Sequence, residues 1–457
     1  MCALDSLAKA LQSVVGAPFL LTDAAAAEYA IDGLPPALVV FPADEDEAAA
    51  VLRLANEHQA TVFPRGSGSY LELGNTPERV EVVLSLQRLQ RQLAYEPADM
   101  TTTVQAGLRL ADLQQVLRQH GQYLALDPAA AATATVGGIV ATNRSGPRRL
   151  LYGTARDLLL GTAVLSIDGK RTKAGGRVVK NVTGYDLNKL YIGSLGTLAV
   201  LVELTFKLHP LPPGEHTVGI GFMHHGDMLP LLQMVMQLPL RLSSLVLLNA
   251  AASTTIAKHA DWSAPDTTYL LLTRLEGPPQ VTQKQERRLL EALRHLSLQG
   301  TATTYTWNDD TPMRVWHAIA EFPVTVHVDA PFNVVSKVSL LMSDLPAFFQ
   351  DMEALSANVG TAWPVCAQAG SGIAYVGVSP GQHAATNGKT MPEQIQALDA
   401  CVSRLHGRRV IERAPVEVKR YCDVWGTPGD DLALMRAIKK SFDPHNRLNP
   451  GRFLGGL

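Results

Sequence analysis

Apolar residues come in short runs along most of this chain, and their spacing predicts a string of alternating strands and helices. Residues 37–41 read as a buried strand. Asp44 and Glu47 then have capping-box spacing and open a helix through Asn56, with Val51, Leu52 and Ala55 along one side. Thr61-Val62-Phe63 is the next strand, and it runs straight into Pro64-Arg65-Gly66. Strand, helix, strand and glycine loop in so short a span is the plan of a nucleotide-binding α/β unit. Residues 80–86 and 101–106 predict further strands, and 108–120 a helix that stops at Gly121. Residues 158–167 and 198–208 are strand-like, with a hairpin at Asp168-Gly169 leading back through Arg171-Thr172-Lys173.

The run His209-Pro210-Leu211-Pro212-Pro213-Gly214 is the clearest punctuation and predicts a domain boundary. Beyond it the order strand, helix, strand recurs three times: 217–222, 229–237 and 244–248; 269–275, 283–298 and 301–307; 334–341, 346–357 and 373–378. A helix at 393–405 and a strand at 409–411 follow, then a helix at 432–441 and a turn-rich tail at 443–452. The expected plan is α+β: a domain over 1–213, a second α+β domain with an open sheet and helices on one side over 214–430, and a returning tail over 431–457.

Composition narrows the function. At 457 residues the chain is too long for one ordinary core. A formal net charge of −2 argues against a nucleic-acid binder. The four cysteines, Cys2, Cys366, Cys401 and Cys422, form no CxxC pair, so neither a zinc site nor an iron–sulfur cluster is encoded. The N-terminus has no basic n-region and reads as an ordinary short helix, and the apolar runs are too short for a membrane span. A cytoplasmic protein is expected, with any contact to the inner membrane made through a partner.

Two glycine-bearing stretches hold the candidate chemistry. Arg65-Gly66-Ser67-Gly68-Ser69-Tyr70 offers consecutive N–H groups with little side-chain bulk, which suits an anion. It is neither a Walker A loop nor a Rossmann fingerprint, and taken alone a plain glycine-rich turn explains it equally well. Thr133-Ala134-Thr135-Val136-Gly137-Gly138 adds hydroxyls and paired glycines.

Together with Ser145-Gly146-Pro147-Arg148-Arg149, Lys180-Asn181-Val182-Thr183-Gly184-Tyr185-Asp186 and Gly193-Ser194-Leu195-Gly196-Thr197-Leu198, these segments resemble, in order, the FAD-linked oxidases of the vanillyl-alcohol oxidase and p-cresol methylhydroxylase (PCMH) type. The SGPRR and KNVTGYDL segments are similar to those of the FAD-binding subunit of bacterial glycolate oxidase. The resemblance is dense over 34–213, thin through the middle, and returns over 443–452. It implies a two-subdomain PCMH-type FAD-binding domain, a ferredoxin-like α+β cap, and a tail returning to the flavin. It also implies that Pro64, Arg65, Gly66, Ser67, Gly68, Ser69 and Tyr70 hold the pyrophosphate. Thr133, Thr135, Val136, Gly137 and Gly138 would line the phosphate and ribityl region, with Ser145 and Gly146 near the flavin. Gly193, Gly196 and Thr197 would lie along the nucleotide, and Asn449 would approach the ring.

Covalent members often place a histidine just after the loop arginine. Ser67, Ser69 and Tyr70 stand there, so non-covalent FAD is expected. An HxGDGNxH-like metal motif is missing; His224-His225-Gly226-Asp227 is the nearest cluster, and Asp227 reads more simply as a helix N-cap. The implied activity is oxidation of a small 2-hydroxy acid such as glycolate or D-lactate, in a complex with a catalytic flavoprotein subunit and an iron–sulfur subunit. A non-catalytic assembly subunit and a stand-alone FAD alcohol oxidase are the alternatives. The sequence names no catalytic base. Lys337 reads more readily as a solvated strand-edge lysine than as a substrate-binding cation, and Trp316 more readily as core.

Overall fold

The computed structural model describes residues 3–177, 185–307, 309–328, 334–379 and 390–457. The segment Lys180-Asn181-Val182-Thr183-Gly184 lies outside the described residues; Tyr185, just after it, is almost fully exposed.

The first sheet has four strands. Leu38–Val40 pairs in parallel with Val82–Ser85, which pairs in parallel with Val62–Arg65, and Leu20–Thr22 closes the far edge antiparallel. The two strands joined by the helix Glu45–Glu57 are therefore not neighbours, because Val82–Ser85 lies between them. Asp44 caps this helix as expected, accepting from Glu47 N at 2.9 Å, while the Glu47 carboxylate reaches one residue further back to Ala43 N at 2.7 Å. Val51, Leu52 and Ala55 are fully buried beneath it. Each large apolar side chain so buried contributes about 1.5–3 kcal/mol.

A second, antiparallel sheet runs Gln92–Glu96, Thr101–Gln105, Val200–Lys207, Leu159–Leu165, Arg171–Gly175. Its last pair closes at the predicted Asp168-Gly169 hairpin, where Gly169 has φ +75. The helices Leu110–Arg118 and Val136–Thr142 share its apolar core.

The third sheet has eight antiparallel strands and a doubled plan. Glu215–Phe222, Leu242–Asn249, Tyr269–Glu276 and Thr303–Thr306 lie in the spatial order fourth, first, third, second. Val334–Ser339, Val365–Gln368, Ile373–Val378 and Arg408–Arg413 repeat that order, and the second strands of the two units pair to join them. Each half is a split βαβ, ferredoxin-like unit. The periodicity did not single out the helices Ala250–Ala260 and Thr311–Val328; the latter carries Pro323 in its interior, a residue that reads as a breaker.

The short helix Arg149–Tyr152 packs against the cap strand Leu242–Asn249. Arg148 and Tyr152 bond Glu276 of the cap at 2.9 and 2.6 Å. Burial pushes the Glu276 carboxyl up, but Arg148 and Arg274 outweigh it and hold it below its ordinary range. After the helix Leu432–Phe442 the tail returns along the strand edge beyond Val62: Val62 N donates to Arg447 O at 2.7 Å and Asn449 N to Val62 O at 2.8 Å.

Candidate functional site

The strand Val62–Arg65 ends in the loop that the sequence singles out. Among the described residues, none of the backbone N–H groups of Gly66, Ser67, Gly68, Ser69 and Tyr70 finds a protein acceptor. Five successive unpaired donors are unusual in a folded protein, where backbone groups are nearly all paired, and they form a nest suited to an anion. Gly68 has φ +92, a conformation that side chains oppose. A Cβ on Gly66 would lie 2.2 Å from Thr135 Oγ1, so its lack of a side chain lets the two glycine-bearing stretches meet. Ser67 Oγ and Ser69 Oγ are 3.0 Å apart, and Ser69 Oγ is 2.9 Å from Thr133 Oγ1, which makes a ladder of hydroxyls beside the nest. The Arg65 guanidinium lies 4.5 Å from the Tyr29 ring centre, and its Nε is buried without a partner. Burial lowers its pKa. These groups fit the pyrophosphate of a dinucleotide.

Pro64, Arg65, Gly66, Ser67, Gly68, Ser69, Tyr70, Thr135, Gly138 and Asn449 line one open cavity. Ser67, Thr133 and Thr135 also line a neighbouring cleft that reaches Arg88 and Arg109, so the two spaces share a wall. The other predicted residues take supporting positions. Val136 is buried in the core, and Gly137 N donates to Ala106 O at 2.8 Å. Thr135 Oγ1 accepts from Gly138 N at 3.2 Å and caps the helix Val136–Thr142. The first N–H groups of that helix are therefore already paired within the protein.

Ser145 is buried with its hydroxyl unpartnered, and Gly146 packs on the Asp127 backbone. Gly193 and Leu195 donate to Val140 and Ala141, while Gly196 faces the Pro64 ring. Thr197 Oγ1 donates to Ser194 O at 2.7 Å. This turn braces the nest from behind, and Asn449 ties to it through Leu195 O at 2.5 Å.

Buried charges fix the nest in place. Lys439 Nζ donates to Thr197 O, Asp443 Oδ2 and Leu448 O at 2.7, 2.6 and 2.9 Å. Arg452 binds Asp32, Asn75 O, Leu71 O and Leu73 O, clamping the chain that leaves Tyr70. Lys419, from the cap side, shares Asp32 at 2.7 Å and takes Glu72 O at 2.6 Å.

Tyr70 connects the nest to the cap. Its hydroxyl donates to Ala129 O at 2.6 Å, and the Arg144 guanidinium lies 4.6 Å from its ring centre. Burial, the largest influence, pushes the Tyr70 hydroxyl well up, so it stays protonated. Arg144 pairs with Glu412 of the last cap strand; the Glu412 side chain is buried, 6% exposed, and the Arg144 side chain only partly so, 12% exposed. Lys337 and Tyr375 stand opposite each other on adjacent strands, and both feel Arg144, Arg149 and Glu412. Burial lowers the Lys337 pKa, Glu412 opposes that, and Arg149 and Arg144 add to it. Glu321 accepts from Ala130 N at 2.9 Å at the rim.

One expectation changes outright, that for Lys337, while Trp316 is core as expected. Lys337 is not a strand-edge residue: its strand is paired on both sides, with Tyr375 and Val410 as neighbours. Trp316 is core, with Nε1 donating to Thr217 Oγ1 at 2.9 Å. Asp227 stands at the N-cap position of the helix Met228–Gln237 as expected, but its side chain makes no capping bond; its carboxylate accepts from Gln299 N at 2.6 Å and Gly300 N at 3.3 Å, which pins the 299–300 turn. His225 Nε2 contacts Pro346 O at 2.6 Å. Among the described residues, no three His, Cys, Asp or Glu converge as metal ligands.

Sequence reasoning assigned no role to Arg144, Arg149, Glu412, Arg452, Lys439 or Asp32. Arg144 and Arg149 flank Ser145-Gly146-Pro147-Arg148, and this cluster of arginines beside a glycine is the one signal that pointed toward them.

Comparisons with known proteins agree with this architecture. The FAD binding domain family matches residues 36–175, and the C-terminal domain of FAD linked oxidases matches 211–410 and 424–453. A D-2-hydroxyglutarate dehydrogenase of Xanthomonas citri pv. viticola is 28% identical over 91% of this chain and 89% of its own length. The glycolate oxidase subunit GlcD of Bacillus subtilis is 24% identical over 93% of this chain and 91% of its own. The fold matches p-cresol methylhydroxylase with TM-score 0.75 at 16% identity, over 98% of this chain and 96% of that one. With both family signatures in place around an anion nest that fits the cofactor, the chain belongs to the FAD-linked oxidases, and its cofactor is FAD.

Proposed function

We propose that this chain is the FAD-binding subunit of a dehydrogenase for a small 2-hydroxy acid, glycolate or D-lactate, and works beside a catalytic flavoprotein subunit and an iron–sulfur subunit. The observation that carries the reading is the row of unpaired N–H groups at residues 66–70, which ends in Tyr70 beneath Arg144, itself paired with Glu412 of the cap. Residues Pro64, Arg65, Gly66, Ser67, Gly68, Ser69 and Tyr70, with Thr133, Thr135 and Asn449, would hold the dinucleotide, and Arg144, stacked on the Tyr70 ring, would face a carboxylate. The names of the 2-hydroxyacid dehydrogenases and the glycolate oxidase subunit among the relatives support that substrate class.

FAD supplies acceptance of a hydride equivalent from an alcohol carbon. The chain supplies orientation, a cationic hold and a dry interface. The Ser67, Ser69 and Tyr70 side chains support non-covalent binding, and the domain division near residue 213 follows from the Pro-rich run together with the first strand of the cap sheet at Glu215. A cytoplasmic location is part of the same reading; among the described residues no helix is long and apolar enough to cross a membrane.

The test is anaerobic titration of the purified chain with glycolate and with D-lactate, following the flavin band. Bleaching by either acid supports a catalytic flavin in this chain. An unbleached flavin that is reduced only when the other subunits are added places this chain as an electron-transfer or assembly subunit. A colourless chain that takes up no FAD overturns the reading.

A further inference from the structure

A second groove lies apart from the cavity at residues 64–70 and shares no residue with it. Its floor comes from both domains: Leu150 and Leu151 of the short helix Arg149–Tyr152, and Val235, Leu238 and Leu242 of the cap. The helix Met228–Gln237 forms one wall and is apolar nearly all round. It buries Met228, Leu231, Leu232 and Val235, and leaves Met236 40% exposed in the groove. Val281, on the facing helix Pro279–His295, is 49% exposed there. Apolar side chains gathered on an outer face and ringed by polar ones mark an interaction surface. The groove is preformed, because buried Gln285 of the facing helix accepts from Arg241 N and ties the walls together.

The rim is basic. Arg241, Lys284 and Arg288 line the groove, and among the described residues no Asp or Glu does. All three cations are exposed, and none makes an ion pair with a described residue. Val281, Lys284 and Arg288 are spaced to share one side of their helix. Of the carboxylates on that helix, Glu286 is taken by His216 at 2.9 Å and Glu291 stays outside the groove. In a chain of formal net charge −2, this is a local excess of positive charge over an apolar floor.

We propose that this groove docks an acidic amphipathic segment of a partner protein, with apolar anchors on Leu150, Leu151 and Val235 and carboxylates on Arg241, Lys284 and Arg288. Charge and shape select that occupant. A second copy of the chain meeting the same face about a two-fold axis would set these cations against themselves. A flat bilayer would touch the cations of the rim without filling the concave floor. An amphipathic segment satisfies both at once. Because the floor takes residues from the FAD-binding domain and from the cap, the occupant would hold the two together. The inference does not depend on which alcohol the flavin oxidises.

The probe is a rhodamine-labelled peptide with leucines at i, i+3, i+4 and i+7 flanked by glutamates, together with a twin that carries lysines in place of the glutamates. Binding to the FAD-loaded chain is read by fluorescence anisotropy. The acidic peptide is expected to bind, and to bind several-fold more weakly as salt is raised. Lys284→Glu combined with Arg288→Glu should lose at least tenfold in affinity for the acidic peptide and gain affinity for the basic one, with flavin content and melting temperature as in the wild type. That exchange of preference distinguishes the groove from a merely sticky surface. Leu151→Asp places a charge in the floor and should remove binding of the acidic peptide. Should it fail to fold, Val281→Asp, at an exposed position of the same groove, decides instead. No binding of the acidic peptide, or binding that the rim substitutions leave unchanged, overturns the proposal. Self-association of the chain, or its binding to phosphatidylglycerol vesicles, that is lost in the rim variant while the peptide does not bind overturns it in favour of those occupants.

Discussion

Two buried charge clusters lie on either side of the nest, and they are built on opposite terms. In the tail cluster every N–H of Lys439 has an acceptor, and the Asp443 carboxylate also takes Leu448 N at 2.7 Å. Arg452 and Lys419 likewise spend their donors on Asp32 and on backbone carbonyls. At the cap interface Arg144 pairs with Glu412, while Arg144 Nε and the neighbouring Ser145 Oγ stay buried without hydrogen-bond partners. The first arrangement fixes a loop in one position, since any movement breaks several charge-assisted bonds at once. The second leaves capacity for a ligand. Saturated cations build the frame, even with Asp443 Oδ1 left without a partner, and under-partnered donors mark the site.

Breaking the satisfied cluster should have the largest effect. Lys439→Met leaves the Asp443 side chain, 0% exposed, without its cation and should cost about 3–5 kcal/mol, read as a fall in unfolding midpoint. Lys439→Met combined with Asp443→Leu should recover part of that loss, because the stranded charge is then gone. Arg452→Met should cost about 3 kcal/mol. Arg452 also lines the cavity, so dialysed protein should release flavin faster than wild type.

Asp127 gives a pH test. Burial pushes its carboxyl up to about 6, against the opposing pull of Arg148 and Arg274. The folded state therefore holds this proton longer than the unfolded chain does. Its stabilising contribution is present at low pH and is lost as pH climbs from about 4 through about 6, on the order of 3 kcal/mol. Denaturant titrations of Asp127→Asn should show a flatter pH profile over that window.

Thr135→Val removes the cap of the helix Val136–Thr142 and should cost about 1 kcal/mol. Its second effect is on the hydroxyl that meets Gly66, read as weaker flavin retention at unchanged fold. The smallest change is expected at Arg171, whose ion pairs with Glu45 and Glu203 lie at the surface. Arg171→Ala should shift stability by less than about 1 kcal/mol, and the shift should shrink in high salt.

Local features of the fold were legible where chemistry is local. Asp44 and Glu47 announced a helix start, Asp168-Gly169 a hairpin, and the loop of residues 64–70 an anion nest, because each depends on residues a few positions apart. The insertion of Val82–Ser85 between two strands that are consecutive in the chain was not legible, since sheet order is decided by distant pairing. Lys337 looked like an edge residue because nothing in its short segment shows that Ile373–Val378 and Arg408–Arg413 flank it. Arg144 and Glu412 are 268 positions apart by their residue numbers, 412 − 144, and only the docking of the cap joins them. Glycines were read as ligand-facing throughout, whereas Gly137 and Gly146 are small because neighbouring backbone passes against them.

The central claim is that residues 66–70 hold the FAD pyrophosphate on unpaired backbone N–H groups. The most direct measurement is the ratio of flavin to protein in purified wild type, Gly68→Asp and Gly68→Ala. Gly68 has φ +92 and an added Cβ would press on Arg65, so both variants strain the loop, but only the aspartate brings negative charge into the nest. The prediction is near-stoichiometric flavin in the wild type, a reduced share in Gly68→Ala, and none retained by a folded Gly68→Asp. Stoichiometric flavin in Gly68→Asp would contradict the assignment of this loop.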